Sequence, residues 1–147
     1  MDSRGTRSIA PAARVLVVDD DDAVRQFVKR ILDDGGYVVE ASASGADALT
    51  RMRGGEAYDL IVADVCMPEM TGPQLVACMR KAGSEAKVLY VTGFADQLFE
   101  EHTPLWAGEA YLDKPCTVQG LREAVSLLLH GKIEGDKQSR GRPRGSC

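Results

Sequence analysis

Apolar and polar positions follow two different periods along this chain, and the switches between them mark its elements. Val15 to Val18 form an uninterrupted apolar run that stops at Asp19 and Asp20, and Leu60 to Ala63 form another that stops at Asp64. Short runs that are apolar at every position and closed by charge are the pattern of parallel strands buried on both faces. Val88 to Val91, ending at Thr92, and Ala110 to Leu112, with Lys114 just beyond, repeat it. Tyr37 to Ala41 reads as the second strand in chain order and Asp59 to Ala63 as the third.

Between these runs the period lengthens to that of a helix. Val24, Phe27, Val28, Ile31 and Leu32 keep the i, i+3, i+4, i+7, i+8 spacing of one helix face, with Asp21 or Asp22 as N-cap and Gly35-Gly36 as the stop. Ser44 caps a second helix running to about Arg53, and Gly72-Pro73 opens a third through Leu75, Val76 and Met79 that ends near Gly83. Residues 95 to 103 predict a short helix closed by Pro104, and the final helix runs from Thr117 to about His130 through Leu121, Ala124, Val125 and Leu128. Five strands alternating with five helices predict an α/β fold with a doubly wound parallel sheet, because each strand-to-strand crossover needs a helix on one face or the other.

At 147 residues and 44% hydrophobic content, the chain has room for one folded domain, placed at residues 14–130. Residues 1–13 and 131–147 are rich in Gly, Ser, Arg and Pro, lack periodicity, and are expected to be mobile tails. The net charge of -4 hides a split: residues 14–130 hold 11 basic and 19 acidic side chains, so the expected domain carries -8 and repels nucleic acid, while the tails are basic. Cys66, Cys78, Cys116 and Cys147 show no paired short spacing, which points to reduced thiols rather than a zinc or disulfide framework. Arg4 and Arg7 ahead of Ile9-Ala10 faintly imitate a secretion signal, but Pro11, Arg14 and the aspartates from Asp19 interrupt it. No apolar stretch reaches the roughly 18 residues of a membrane span, so the expected location is the cytoplasm.

Open α/β sheets bind ligands outside the carboxyl ends of their strands, and Asp19, Asp20, Asp64, Thr92 and Lys114 all fall on that rim. Three neighbouring carboxylates repel one another unless a cation joins them, and an all-oxygen donor set with room for water suits Mg2+. A carboxylate can also act as a nucleophile toward phosphorus, and Asp64 is the natural candidate, with Lys114 as a charge partner for a phosphoryl oxygen. His102, His130 and Trp106 have no partner spacing that suggests chemistry.

The segments VLVVDDD (15–21), DLIVADVCMPEMTG (59–72), KVLYVTGF (87–94) and YLDKP (111–115) together resemble the receiver domain of two-component response regulators, with wording similar to receivers of hybrid histidine kinases. The resemblance implies a flavodoxin-like sheet in the order 2-1-3-4-5. It implies Asp64 as phosphoacceptor, Asp19 and Asp20 as the acidic pair, and Mg2+ held with help from Asp20, Asp64 and the backbone carbonyl of Cys66. Thr92 would be the switch hydroxyl, Lys114 the charge partner, and Tyr111 the aromatic whose ring turns inward when Thr92 moves. The bond Lys114-Pro115 would be cis, Pro68 would stiffen the loop beyond Asp64, and Gly72 would permit the turn into the next helix.

Departures from the family pattern carry their own expectations. Cys116 stands where the family often has phenylalanine, which would loosen packing near the last helix. Cys66 and Phe94 flank the place of the hydrolytic water and neither offers a group to orient it, so a long-lived aspartyl phosphate is expected. The chain is read as a stand-alone receiver, either signalling by docking to a partner or relaying phosphate to a histidine. It would be no enzyme beyond its own phosphorylation and dephosphorylation. Its phosphodonor would be a histidine kinase or histidine phosphotransfer protein, and its output the face made by the fourth helix, fifth strand and fifth helix. It would be a monomer or a phosphorylation-dependent dimer. The alternatives are a phosphate-independent docking module and a DNA-associated regulator that uses the AT-hook-like segment Arg140 to Gly145.

Overall fold

The computed structural model describes residues 12–93, 108–114 and 116–131. The elements follow in the order β1 (Arg14–Val18), α1 (Asp22–Asp34), β2 (Val38–Ser42), α2 (Gly45–Arg53), β3 (Leu60–Asp64), α3 (Gly72–Lys81), β4 (Lys87–Thr92), β5 (Glu109–Asp113) and α4 (Val118–His130). The strands form one parallel sheet in the order β2-β1-β3-β4-β5, the 2-1-3-4-5 arrangement expected. The described residues contain four helices; the short helix expected at 95 to 103 lies outside them, as do Phe94, Trp106, His102, Pro115 and the tail segment at 140–145.

Strand alternation sorts the core into two layers, one on each side of the sheet. Leu16, Val18, Ile61, Ala63, Val88 and Tyr90 pack with Ala48, Leu49, Leu75 and Met79, which belong to α2 and α3. Val15, Val17, Leu60, Val62, Leu89 and Val91 pack instead with Val28, Ile31 and Leu32 of α1 and Leu121 and Val125 of α4. Both layers are buried, so β1, β3 and β4 are apolar at successive positions rather than at alternate ones.

Local chemistry fixes the helix ends. Asp21, not Asp22, caps α1, its Oδ1 accepting from the backbone N–H of Ala23 and Val24 at 3.0 and 3.3 Å. Thr71 and Gln74 make a reciprocal capping box at the start of α3, each side chain accepting from the other's backbone N–H. Beyond α1, Gly36 takes a φ of +94°, a value that supports its place in the stop signal.

Several expectations shift. Strand 2 begins at Val38 rather than Tyr37, and strand 3 extends through Asp64, which ends the strand instead of following it. Phe27, counted in the apolar stripe of α1, is 42% exposed, because the buried arc is narrower and is filled by Val28, Ile31 and Leu32. Gly72 has no positive φ; its requirement is closeness, since a Cβ there would lie 2.5 Å from the backbone oxygen of Asp64.

Candidate functional site

The two central strands deliver the acids. β1 and β3 are neighbours, so Asp19, one residue beyond β1, and Asp64, the last of β3, emerge side by side at the carboxyl rim. Each of Asp19, Asp20 and Asp64 offers a carboxylate oxygen within 4.8 Å of the others, with Asp19 and Asp64 buried and Asp20 exposed. Asp19 is fixed at both ends: its N–H donates to the Ser42 carbonyl at 3.2 Å, and its Oδ1 accepts from the N–H of Asp21 at 2.9 Å. Arg25 reaches back from α1 to donate to the Asp19 carbonyl at 2.7 Å and also pairs with Asp22, so it leaves the carboxylates to another cation.

That cation is Lys114, one residue past β5. Its ammonium lies 3.3 Å from Asp64 Oδ1 and 3.6 Å from Asp19 Oδ2. Burial pulls the lysine's pKa down, but the charges of Asp19 and Asp64 outweigh it and hold the ammonium above its ordinary value. Burial drives the Asp19 carboxyl above its ordinary value, a rise that the Asp21 N–H and Lys114 only partly oppose. Three carboxylates against the one ammonium that pairs with them among the described residues leave two negative charges in excess. A small divalent cation bound by oxygen fits that excess and that donor set.

Thr92 ends β4, in register with Asp113, and its side chain lies outside what is described. Cys66 is exposed in the segment after β3. Tyr111 sits in the middle of β5, half-buried, with its ring against Tyr90 at a centroid distance of 5.3 Å. The loop after Asp64 is bent tightly: Glu69 takes a φ of +70° while the N–H of Met70 donates to the Pro68 carbonyl at 2.7 Å, closing a three-residue turn. Sequence reasoning did not foresee two of the supports. The first is the seat of Gly72 against Asp64, whose only signal was the Gly-Pro pair at a helix start. The second is buried Ser42, whose hydroxyl donates to Asp47 Oδ2 at 2.5 Å and whose carbonyl holds Asp19.

A doubly wound parallel sheet with an acid cluster and a lysine at its carboxyl rim defines an α/β class that handles charged ligands at the strand ends. The profile of the response regulator receiver domain matches residues 15–126, and the chain belongs to that family. It is 40% identical over 123 residues to the sensor kinase CckA of Brucella abortus, a match that covers 82% of this chain and 13% of the kinase. It is 36% identical to the response regulator MprA of Mycobacterium ulcerans, covering 86% of this chain and 54% of MprA, so the chain spans about half or less of these relatives. Among solved structures, the chemotaxis protein CheY4 of Vibrio cholerae superposes with a TM-score of 0.69 at 30% identity, covering 81% of this chain and all of that one. The receiver domain of the hybrid histidine kinase CckA superposes with a TM-score of 0.65 at 32% identity, covering 80% and 99% of the two chains. No helix among the described residues is long and apolar enough to cross a membrane.

Proposed function

We propose that the protein accepts a phosphoryl group on Asp64 from a phosphohistidine of a histidine kinase or a histidine phosphotransfer protein. The observation that carries this reading is the shared ammonium of Lys114 between Asp64 and Asp19 on the ligand-binding rim. An Asp64 oxygen attacks phosphorus, a P–O bond forms as the P–N bond breaks, and the departing imidazole takes up a proton. Lys114 then pairs with a phosphoryl oxygen, stabilising charge as it moves off the carboxylate. Asp19, Asp20, Asp64 and the backbone carbonyl of Cys66 are the ligands assigned to Mg2+. When bound, that ion neutralises phosphoryl oxygens and the excess charge of the acid cluster.

Thr92 and Tyr111 are assigned as the switch pair that reports the acyl phosphate to a docking surface for a downstream partner, by biasing an existing equilibrium. The similarity to a receiver of a hybrid kinase supports a place in a cytoplasmic phosphorelay. Intact mass after incubation with acetyl phosphate tests the reading. A gain of about 80 Da that requires Mg2+ and is lost in Asp64→Asn is the expected result. No gain from acetyl phosphate, followed by no gain from a phosphorylated histidine phosphotransfer protein, overturns it.

A further inference from the structure

We infer that Tyr90 is a positioning residue through which the backbone at Asp64 acts on the ring of Tyr111. The inference rests on the reading of Tyr111 as a group that changes its packing when Asp64 is modified. Tyr90 lies on β4 in register with Ala63 on one side, the residue before Asp64, and with Tyr111 on the other. Only 3% of it is exposed, and its ring is tilted by 32° against that of Tyr111 at 5.3 Å.

The same ring also lies close to the start of α3. Tyr90 Cδ1 lies 3.4 Å from the position a Cβ on Gly72 would occupy, beside the Asp64 oxygen that the same Cβ would meet at 2.5 Å. Gly72 is held there by its N–H, which donates to the Val65 carbonyl at 2.9 Å. Asp64, Gly72, Tyr90 and Tyr111 are therefore close neighbours in succession on one side of the sheet, in a layer packed tightly enough for a displacement at one end to be passed along it. The layer is also tied from outside. Arg80 on α3 pairs at 3.4 Å with Glu109 at the start of β5, a carboxylate only 2% exposed, so α3 and β5 are joined across Tyr90. A core tyrosine with a merely structural role would affect stability but would leave the response of Tyr111 intact at equal occupancy of Asp64.

Fluorine NMR of the full chain labelled with meta-fluorotyrosine separates the two. The Tyr111 resonance is assigned with Tyr111→Phe and followed on saturation with Mg2+ and beryllofluoride, a mimic of a phosphoryl group on a carboxylate. Tyr111 is expected to shift in the wild type and in Tyr90→Phe, which keeps the ring. In Tyr90→Leu, or in Tyr90→Met should the leucine variant not fold, the shift is expected to fall by half or more. The signal of bound beryllofluoride confirms equal occupancy. An undiminished shift in those variants overturns the inference and leaves the role of Tyr111 standing. A wild-type Tyr111 that does not respond overturns both.

Discussion

Gly72 meets the backbone carbonyl of Asp64 so closely that a single methyl group would stand 2.5 Å from its oxygen. The oxygen belongs to a paired central strand and cannot swing away as a flexible side chain would. Gly72→Ala is therefore expected to act as overpacking, costing about 1–3 kcal/mol in chemical denaturation. It should also slow phosphoryl transfer to Asp64, because the strand end that carries the proposed phosphoacceptor has to move. Gly83→Ala provides a contrast: its Cβ would meet nothing, and any cost there comes from its φ of +95°.

Asp19→Asn is expected to stabilise the protein in Mg2+-free buffer at neutral pH. Burial raises the Asp19 pKa, so its charged form burdens the fold above that raised value, and the burden lifts as pH falls through it toward 3.8. Removing the charge should raise Tm by several degrees, about 4 °C or more if roughly 1 kcal/mol is recovered. Adding Mg2+ should raise Tm in the wild type more than in the variant, as differential scanning fluorimetry would read.

An acid-side limb of stability is expected from Glu40. Its carboxylate accepts from Tyr58 Oη at 2.6 Å, Arg14 at 2.9 Å and Arg51 at 3.2 Å. The Tyr58 hydroxyl, ahead of Arg14, holds its pKa below the ordinary 4.5 against the opposing effect of burial. A depressed acid pKa contributes stability that is present above the unfolded value and lost as pH falls through the folded one. Urea midpoints taken from neutral pH down through that window should fall less steeply in Glu40→Gln than in the wild type.

Cys66→Asn should shorten the life of the acyl phosphate. Cys66 is exposed two residues beyond Asp64 and offers no amide to orient an attacking water. The decay of phosphorylated protein, followed by intact mass after removal of the donor, is expected to be several-fold faster in the variant. Equal decay would remove Cys66 from the account of the lifetime.

Most of the architecture was legible because each element carries its own local signal. Four apolar runs with acid, hydroxyl or lysine just beyond them predicted a doubly wound parallel sheet and the residues on its rim, while its strand order came from the resemblance to receiver domains, and the structure brings Asp19, Asp20, Asp64 and Lys114 together there. What escaped depends on residues far apart in sequence. The Arg14, Glu40, Arg51, Glu56 and Tyr58 network joins β1, β2, α2 and the segment before β3 through hydrogen bonds that span as many as 42 positions, and no periodicity announces it. The exposure of Phe27 escaped because spacing defines a helix face but not how wide an arc the sheet covers. The positive φ of Glu69 escaped because glutamate is not a residue that favours it.

The sheet is also a partition. Everything from Gly72 through Tyr90 to Tyr111 lies in the layer with α2 and α3, while α1 and α4 close the other side on separate apolar neighbours. Substitutions on the two sides that share no partner should combine additively. A lineage could then remodel the outer surface of α1 and α4, changing what the protein touches, while inheriting the layer under α2 and α3 unaltered.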